Sequence, residues 1–351
     1  MTRGKNFFQK LLPGGKRGLT GVDIGSHSMK AVELKLCQGQ PCIAALGRIP
    51  SPPLKEDLQL DEEALANALT HLMERSGINS TDVVTSLSGP RIITRQIKVP
   101  FMSDKELIQS IPDEAEKHIP LPFKDLTMRY VKLGQEYEAG KHKIELLLIA
   151  VPTALIEQYY HIFMLAGLRI TTVDLPAFGL WRLFGASYQG TMAILETGSD
   201  HAQLVVVKDG CIKFIRVMPG GGRLVTEAIA GKYGISFEEA ERIKEEGGPA
   251  LDRNLREGLD HLAGEVRRSL EFYRSRDDCT SVDKIILTGG ASKLRGLDQY
   301  LTKQWGVATE VVTPDCWKTD ISGTKGGFLE YDPSFSVALG LVMGEVSRCT
   351  G

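Results

Sequence analysis

A short acidic hairpin with a glycine turn is the part of this sequence best suited to binding phosphate. Asp23 precedes the Gly25-Ser26 turn, and Ser28 and Lys30 follow it, in the stretch L-T-G-V-D-I-G-S-H-S-M-K-A-V-E-L. Glycine permits backbone angles that a side chain would forbid, so successive N–H groups can point into one hollow that suits phosphate oxygens. A carboxylate beside such a hollow suits a hydrated divalent cation. An ordinary hairpin with a Gly-Ser turn is the alternative explanation of this stretch taken alone.

A second copy of the hairpin, displaced by a constant offset along the chain, favours the functional explanation. The copy reads M-A-I-L-E-T-G-S-D-H-A-Q-L-V-V-V from Met192 to Val207, with Glu196 aligned to Asp23 and Gly198 aligned to Gly25. Each copy is followed by a turn and a third apolar run. Repeats of this kind indicate an internal duplication, so the sequence predicts two similar halves that face each other across a cleft.

Two further glycine clusters accompany the second half. A strand predicted at Asp283–Thr288 runs into Gly289-Gly290-Ala291, and we expect a helix to open near Ser292. A glycine pair between a strand and a helix lets a flat ring or a phosphate approach the backbone. The triplet Gly220–Gly222 either contacts phosphate or forms a flexible hinge, and the sequence leaves both readings open.

The composition excludes several classes of protein. The chain has 351 residues, 42% of them hydrophobic and 25% charged, and a net charge of −2, which argues against a general nucleic-acid binder. No apolar run is long enough to span a bilayer, and no secretory signal is visible. Six scattered cysteines without a C-x-x-C pair argue against a zinc site or a disulfide framework. We therefore expect a protein of the reducing cytosol.

The segment from Met1 to Gly18 forms a basic tail that contains lysines and arginines but no acid. The apolar side chains between Phe7 and Leu12 lie at helix-like spacing, which is typical of an amphipathic segment that touches anionic lipid. The alternative is a frayed terminal tail that ends at Pro13-Gly14-Gly15, and we favour this simpler reading.

Hydrophobic periodicity divides the remaining chain into two repeats, an insertion and a helical unit. A capping box from Ser103 to Glu106 opens a helix in which Pro112 predicts a kink or a split. This helix, two strands, a second helix and a final strand predict a small α+β unit between the repeats. An apolar stripe from Leu255 to Tyr273 predicts a helix that faces the core. We expect these units: a basic tail (1–18), a first subdomain (19–99, completed by 174–189), an inserted α+β subdomain (100–173), a second subdomain (190–224 and 280–351) and a helical/β subdomain (225–279).

In this order, the two acidic hairpins and the strand-Gly-Gly-helix element resemble the actin-like ATPase superfamily. Within it, the chain resembles the PilM family of type IV pilus assembly, which is related to the division protein FtsA. The stretches that carry the resemblance extend from Leu19 to Met343 and include G-V-D-I-G-S-H-S-M-K-A-V-E-L, D-E-A-E-K-H-I-P-L-P-F, P-G-G-G-R-L-V-T-E-A-I-A, E-E-A-E-R-I-K and I-L-T-G-G-A-S-K-L-R-G-L. The resemblance implies an α/β fold, namely an actin-like (ribonuclease H-like) duplicated fold with an FtsA-type inserted α+β domain.

The resemblance also implies that ATP or ADP binds between the two halves together with Mg²⁺ or Mn²⁺. Asp23 would hold the metal, and Glu196 stands at the candidate catalytic position. Phosphates would be cradled by Gly25, Ser26, Ser28 and Lys30 on one side and by Gly198, Gly221 and Gly222 on the other. The adenosine would be surrounded by Glu241, Lys244, Gly289, Gly290 and Ala291.

The second hairpin departs from the family in one position. The family usually carries Asp-Ile-Gly where this chain has Glu196-Thr197-Gly198. Glutamate keeps the charge but reaches one methylene further, which moves the metal or the attacking water, and displacements of that size can cost orders of magnitude in rate. We therefore expect nucleotide binding with weak or absent hydrolysis.

For function, the resemblance implies a cytoplasmic component of the type IV pilus machine that supports twitching motility, peripheral at the inner membrane. It would bind the N-terminal peptide of the membrane protein PilN in a groove between the first half and the insertion. Other platform and motor components are further expected partners, as is self-association. Two alternatives are an FtsA-like division or cytoskeletal ATPase and a superfamily small-molecule kinase. The kinase is disfavoured because the insertion shows no His/Asp group suited to deprotonating a substrate hydroxyl.

Overall fold

Two five-stranded sheets form the centre of the molecule in this computed structural model, which describes residues 18–37, 40–53, 60–89, 91–119, 125–138, 140–246, 253–275, 281–317 and 330–347. The first sheet contains β1 (Leu19–Ile24), β2 (Ser28–Cys37), β3 (Gln40–Pro50), β4 (Asp82–Ser86) and β8 (Arg169–Asp174), in the spatial order β3-β2-β1-β4-β8. The second contains β9 (Thr191–Thr197), β10 (His201–Lys208), β11 (Cys211–Pro219), β12 (Lys284–Thr288) and β13 (Ala308–Glu310), in the order β11-β10-β9-β12-β13. Each half is thus built in the same way.

The two sheets also share their strand directions and register. In each, three strands form an antiparallel meander, and the other two run parallel to its first strand. Asp23 lies opposite Lys30 across β1 and β2, and Glu196 lies opposite Gln203 across β9 and β10. Corresponding members of these pairs are separated by the same offset that relates the two hairpins in the sequence. The predicted α/β duplication is therefore confirmed.

A third sheet of three antiparallel strands is formed by β5 (Ile93–Pro100), β6 (Leu126–Glu138) and β7 (Lys141–Pro152), in the order β5-β7-β6. The residues that form the third sheet do not coincide with the expected insertion, 100–173. β5, expected in the first subdomain, pairs with β7, and β8, expected in the insertion, pairs with β4 of the first sheet. Pairing between strands that are distant in sequence decides sheet membership, and local periodicity does not report it.

The helix α2 (Asp104–His118) continues through Pro112, so the predicted split is not found. Its N-terminus is the predicted capping box, in which the side chains of Ser103 and Glu106 each accept a hydrogen bond from the other residue's backbone N–H. A proline removes one hydrogen bond from the helix interior. The buried face of α2, packed on the third sheet, offsets this loss; it comprises Leu107, Ile111 and Ala115.

The outer face of the first sheet is covered by α1 (Glu62–Arg75) and α3 (Thr153–Leu165), which also pack on each other. Asp61 caps α1, since its carboxylate accepts the Ala64 N–H at 3.1 Å. The second sheet is covered on its outer face by α5 (Gly222–Tyr233), α6 (Phe237–Glu245), α7 (Arg253–Arg274) and α8 (Leu297–Trp305). The predicted core-facing stripe of α7 is confirmed where the structure describes it, at Leu259, Leu262, Val266, Leu270 and Tyr273.

Two helices pack in the core that joins the large sheets: α4 (Pro176–Leu180), continued by a π-helical turn, and α9 (Ser336–Ser347). At their crossing, a Cβ on Gly340 would lie 2.2 Å from the carbonyl oxygen of Gly179, so the two backbones touch. α9 was expected in the second subdomain, but it packs on the first sheet, where a Cβ on Gly21 would lie 2.0 Å from the carbonyl oxygen of Ala338. A helix that is apolar on all faces can be buried against either sheet, so its sequence does not specify on which sheet it packs.

Within the described part of the chain, the helices are too short or too polar to cross a membrane. The basic tail lies outside the described residues up to position 17, so neither reading of it is tested. Cys42 is disulfide-bonded, whereas Cys211 and Cys316 are free thiols.

Candidate functional site

The first acidic hairpin places a carboxylate and an ammonium group side by side at the end of the first sheet. Asp23 Oδ2 and Lys30 Nζ lie 3.5 Å apart, and both side chains are largely buried. The Gly25 N–H donates to the carbonyl oxygen of Ser28 at 3.2 Å, and a Cβ on Gly25 would lie 2.9 Å from that oxygen. Gly25 does not adopt a positive φ. Glycine is needed here for close approach, rather than for the special backbone angle that the sequence suggested.

The turn of this hairpin is fixed from the neighbouring strand. Ser51 Oγ donates to the carbonyl oxygen of Gly25 at 2.6 Å, and the Ser51 N–H donates to the carbonyl oxygen of His27 at 3.0 Å. Ser26 is exposed at the tip of the turn, and Ser28 is buried at the start of β2. The turn is therefore a fixed ridge at which Ser26 faces solvent, while the side chain of Ser28 does not.

Glu196 ends the equivalent strand of the second sheet, close to the first hairpin. Burial and then the negative charge of Asp23 raise the pKa of Glu196 from 4.5 to about 8, and the positive charge of Lys30 opposes them. The charges of Asp23 and Lys30 therefore act on Glu196 from the other sheet, and the two halves meet here, since His27 of the first hairpin lies 3.7 Å from Glu241 of the second half. At neutral pH, Glu196 is held mainly in its protonated form.

The glycine triplet after β11 lies against the second hairpin. The Gly222 N–H donates to the carbonyl oxygen of Gly198 at 2.9 Å, and the Arg223 N–H donates to that of Ser199 at 3.0 Å. A Cβ on Gly221 would lie 2.4 Å from the Gly198 oxygen. The triplet is thus anchored at the N-terminus of α5, which argues against the flexible-hinge reading.

The third glycine element closes over the same hairpin. Gly289 has φ 90°, and a Cβ there would lie 2.5 Å from the carbonyl oxygen of Thr197 and 2.8 Å from Glu196 Oε1. The helix expected near Ser292 is a 3₁₀ turn, Gly290–Lys293, and α8 begins only at Leu297. Ala291 packs beside Gly222, whereas a Cβ on Gly290 would meet no atom of the described chain within 4 Å. Gly290 therefore leaves open space next to the cleft.

A hydrogen-bonded cluster on α5 and α6 forms the side wall of this region. Lys244 Nζ donates to Glu241 Oε2 at 2.6 Å, to Thr226 Oγ1 at 2.8 Å and to the carbonyl oxygen of Gly222 at 3.2 Å. Burial alone would raise the pKa of Glu241, but hydrogen bonds from Lys244 and Thr226 outweigh it and lower that pKa. Glu241 therefore remains charged, and its Oε1 lies 3.7 Å from His27 Nε2 of the first hairpin.

Two residues of the cleft were missed by the sequence reasoning. Gln203 lies opposite Glu196, is 8% exposed, and its Oε1 accepts no hydrogen bond within the described part of the chain. The repeat itself carried the signal, because Gln203 is the counterpart of Lys30 when the two hairpins are aligned. Thr226 was missed because its role depends on contacts between two helices, which no local pattern reports.

The structure brings most of the expected site residues into one region. Asp23, Gly25, Lys30, Glu196 and Gly198 come from the two hairpins, and the remaining members at the cleft wall are Gly221, Gly222, Glu241, Lys244, Gly289 and Ala291. A lysine and an aspartate side by side, Lys30 and Asp23, suit a polyanion with a divalent cation.

The duplicated sheets and the cleft between them define the class of protein, which is the actin-like ATPase fold. Over 97% of this chain, the structure is similar to the ethanolamine utilization protein EutJ from Carboxydothermus hydrogenoformans, with a TM-score of 0.58 at 16% identity and 99% of that chain covered. It is also similar to MreB5 of Spiroplasma citri bound to ADP, with a TM-score of 0.53 at 12% identity, covering 96% of this chain and 98% of that one. The predicted actin-like fold is therefore confirmed.

The family can be stated more narrowly. Residues 21–346 match the model of the type IV pilus assembly protein PilM, and the chain belongs to that family. Its structure resembles that of a PilM-PilN type IV pilus biogenesis complex with a TM-score of 0.80 at 30% identity, covering 93% of this chain and 98% of that one. Cell division protein FtsA of Enterococcus faecalis is a more remote relative, with 23% identity over an alignment 329 positions long that covers 79% of this chain and 74% of that protein.

Proposed function

We propose that this chain is a cytoplasmic scaffold of the type IV pilus machine, peripheral at the inner membrane, that binds ATP or ADP with Mg²⁺ or Mn²⁺. In this proposal it binds the N-terminal peptide of a PilN-type membrane protein and, through the assembled platform, couples to motor components. The observation that carries the proposal is the cleft in which Asp23, Lys30 and Glu196 converge from the two halves. Family membership supports the assignment to pilus assembly.

The residues present fit a nucleotide with its metal. Asp23 would hold the hydrated cation, and Lys30 would pair with phosphate beside it, because the two groups already lie together and largely buried. A Cβ on Gly290 would meet no described atom within 4 Å, so the chain leaves space for a ligand at that position. The unpartnered Oε1 of Gln203 is a further acceptor in the same region. When bound, Mg²⁺ would neutralise the negative charge of the phosphates, which Lys30 alone neutralises only in part.

The position of Glu196 supports weak hydrolysis. Glutamate stands where the family usually carries aspartate, and its carboxyl group reaches one methylene further, which displaces the attacking water or the metal. We propose that the chain uses nucleotide mainly as a structural ligand that joins the two halves.

A polar cavity on the first half is the candidate peptide groove. It has a volume of about 530 Å³ and lies between α1, α3 and the turn that leads into β5; it is lined by Glu62, Arg91, Ala154, Glu157, Gln158 and His161. This position, on the first half beside the turn that leads into the inserted sheet, supports its assignment as the groove for a PilN-type peptide. Its mixed charges suit an extended peptide with polar side chains.

Two experiments test the proposal. Equilibrium binding of a fluorescent ATP analogue with Mg²⁺ should be strong for the wild type and lost in Asp23→Ala; equal affinity in both would refute the metal assignment. For the partner, immobilised peptides from a PilN-type N-terminus and from the C-terminal tail of a tubulin-like division protein are offered to the purified chain. Binding to the first supports pilus assembly, and selective binding to the second supports the FtsA-like alternative, which the similarity to FtsA keeps relevant.

A further inference from the structure

A cluster of three metal-ligating side chains, distinct from the Asp23–Lys30 pair, joins the first hairpin to α6. His27 stands in the first hairpin, and Glu241 and Glu245 stand one turn apart on α6. One ligand atom from each lies within 4.8 Å of the others. Residues four apart on a helix share a face, so both carboxylates are directed toward the same side. The cluster therefore draws its ligands from both halves of the molecule.

The distance between His27 and Glu241 fits a shared ion better than a direct bond. His27 Nε2 and Glu241 Oε1 are 3.7 Å apart, which is too long for a hydrogen bond. Bonds of about 2.0–2.1 Å to a tetrahedral Zn²⁺ would place two ligand atoms about 3.4 Å apart. A movement of a few tenths of an ångström would therefore bring both atoms into coordination.

Glu241 is already oriented as metal ligands usually are. Its Oε2 is held by Lys244 Nζ at 2.6 Å and by the Thr226 hydroxyl, which leaves Oε1 directed at His27. Hydrogen bonds to the far side of a ligand fix its direction and are typical of metal sites. Glu245 is less constrained, since its Oε1 lies 3.8 Å from Arg48 Nη1 and its side chain is 43% exposed. It can therefore turn inward to complete the set.

We propose that His27, Glu241 and Glu245 form a binding site for a divalent first-row transition cation, with Zn²⁺ as the representative ion. Three protein ligands would leave a fourth position for water, as in open zinc sites. The imidazole ligand separates this site from the carboxylate of Asp23, because imidazole favours Zn²⁺ over Mg²⁺. The bound ion would tie the first hairpin to α6 and hold the mouth of the cleft closed. The proposed ligand set contains no cysteine, so the scattered cysteines do not bear on it.

The test uses the full-length, nucleotide-free chain, because Glu241 is shared with the proposed adenosine wall. Protein stripped of metal with EDTA is dialysed into buffer with excess Mg²⁺ and titrated calorimetrically with ZnCl₂. We expect one Zn²⁺ per chain for the wild type. Affinity should fall in His27→Ala and in Glu245→Gln by more than the roughly 10–100-fold that loss of a supporting group around a metal costs.

A matched control is His71→Ala, which removes an exposed histidine of α1 that is not among the three proposed ligands. This variant should bind Zn²⁺ like the wild type. A second readout is Co²⁺, whose visible absorption in the wild type should show the intense bands of a four-coordinate ion, lost in His27→Ala. Because His27 and Glu245 are partly exposed, both variants should keep the metal-free urea midpoint of the wild type.

Two results would overturn the proposal. One is stoichiometric Zn²⁺ binding that survives unchanged in both His27→Ala and Glu245→Gln. The other is absence of binding by the wild type under conditions in which all variants are folded. The proposed nucleotide function is tested separately, since Asp23→Ala should lose binding of Mg²⁺ with ATP yet bind Zn²⁺ normally. Failure of either site therefore leaves the result for the other intact.

Discussion

The raised pKa of Glu196 makes the stability of the protein depend on pH in a way that one substitution should abolish. Between pH 4.5 and 8, the folded chain holds a proton on Glu196 that the unfolded chain has released. The free energy of unfolding therefore falls as pH rises through this window, by at most about 1.4 kcal/mol per pH unit. Solvent reaches part of this side chain, so we expect a total of about 2–3 kcal/mol rather than the full value.

Glu196→Gln copies the shape and neutrality of the protonated form, so it should carry no such penalty at any pH. Urea unfolding of nucleotide-free protein in EDTA is the assay, at half-unit steps from pH 5 to pH 9. The variant should equal the wild type near pH 5 and exceed its stability by about 2–3 kcal/mol near pH 8.5.

The matched control is Glu310→Gln, which neutralises a carboxylate that is 55% exposed. Its difference from the wild type should stay within about 0.5 kcal/mol across the same range. If Glu196→Gln and the wild type differ by the same amount at pH 5 and pH 8.5, Glu196 is an ordinary acid and the description of the cleft is wrong.

The remaining predictions concern packing, turnover and recruitment. Gly21→Ala should destabilise the chain by about 1–3 kcal/mol, because its Cβ would lie 2.0 Å from the Ala338 oxygen. Gly231→Ala, where a Cβ meets no described atom within 4 Å, should instead stabilise α5 by about 0.5–1 kcal/mol. Equal urea midpoints for the two variants would count against the close packing of α9 on the first sheet. Steady-state hydrolysis of ATP should be slower than about 1 per second, the low end of ordinary enzymes; a coupled phosphate assay that reports brisk turnover contradicts the role given to Glu196. Fractionation of cells should find the chain at the membrane only with its PilN-type partner; retention after removal of both the partner and the segment from Met1 to Gly18 would show a separate anchor.

The repeat made the centre of the fold predictable from sequence. The constant offset between the two hairpins anticipated two similar halves, and the two sheets have the same strand order. Periodicity alone also located the buried stripe of α7. The buried stripe is a local feature and the duplication is a repeat of local features, so both can be recognised from the sequence.

Features that depend on long-range packing were not predictable in the same way. The sequence did not indicate that β5 pairs with β7, because a half-buried strand is compatible with either neighbouring sheet. It did not indicate that α9 packs on the first sheet, since its surface is apolar all round. Within the site, Gly25 was explained by backbone freedom, whereas the structure requires it for space beside the Ser28 carbonyl. A close contact of this kind depends on the folded arrangement of the chain, so the sequence pattern does not report it.

A crystal structure of the chain with Mg²⁺ and ADP tests the central claim most directly. We expect the diphosphate to lie between the Gly25 turn and the Gly198 loop, with the cation on the side of Asp23 and Lys30 turned toward phosphate. A nucleotide bound elsewhere, or an Asp23 carboxylate that does not face the phosphates, would contradict the claim that the two acidic hairpins form a single nucleotide cleft.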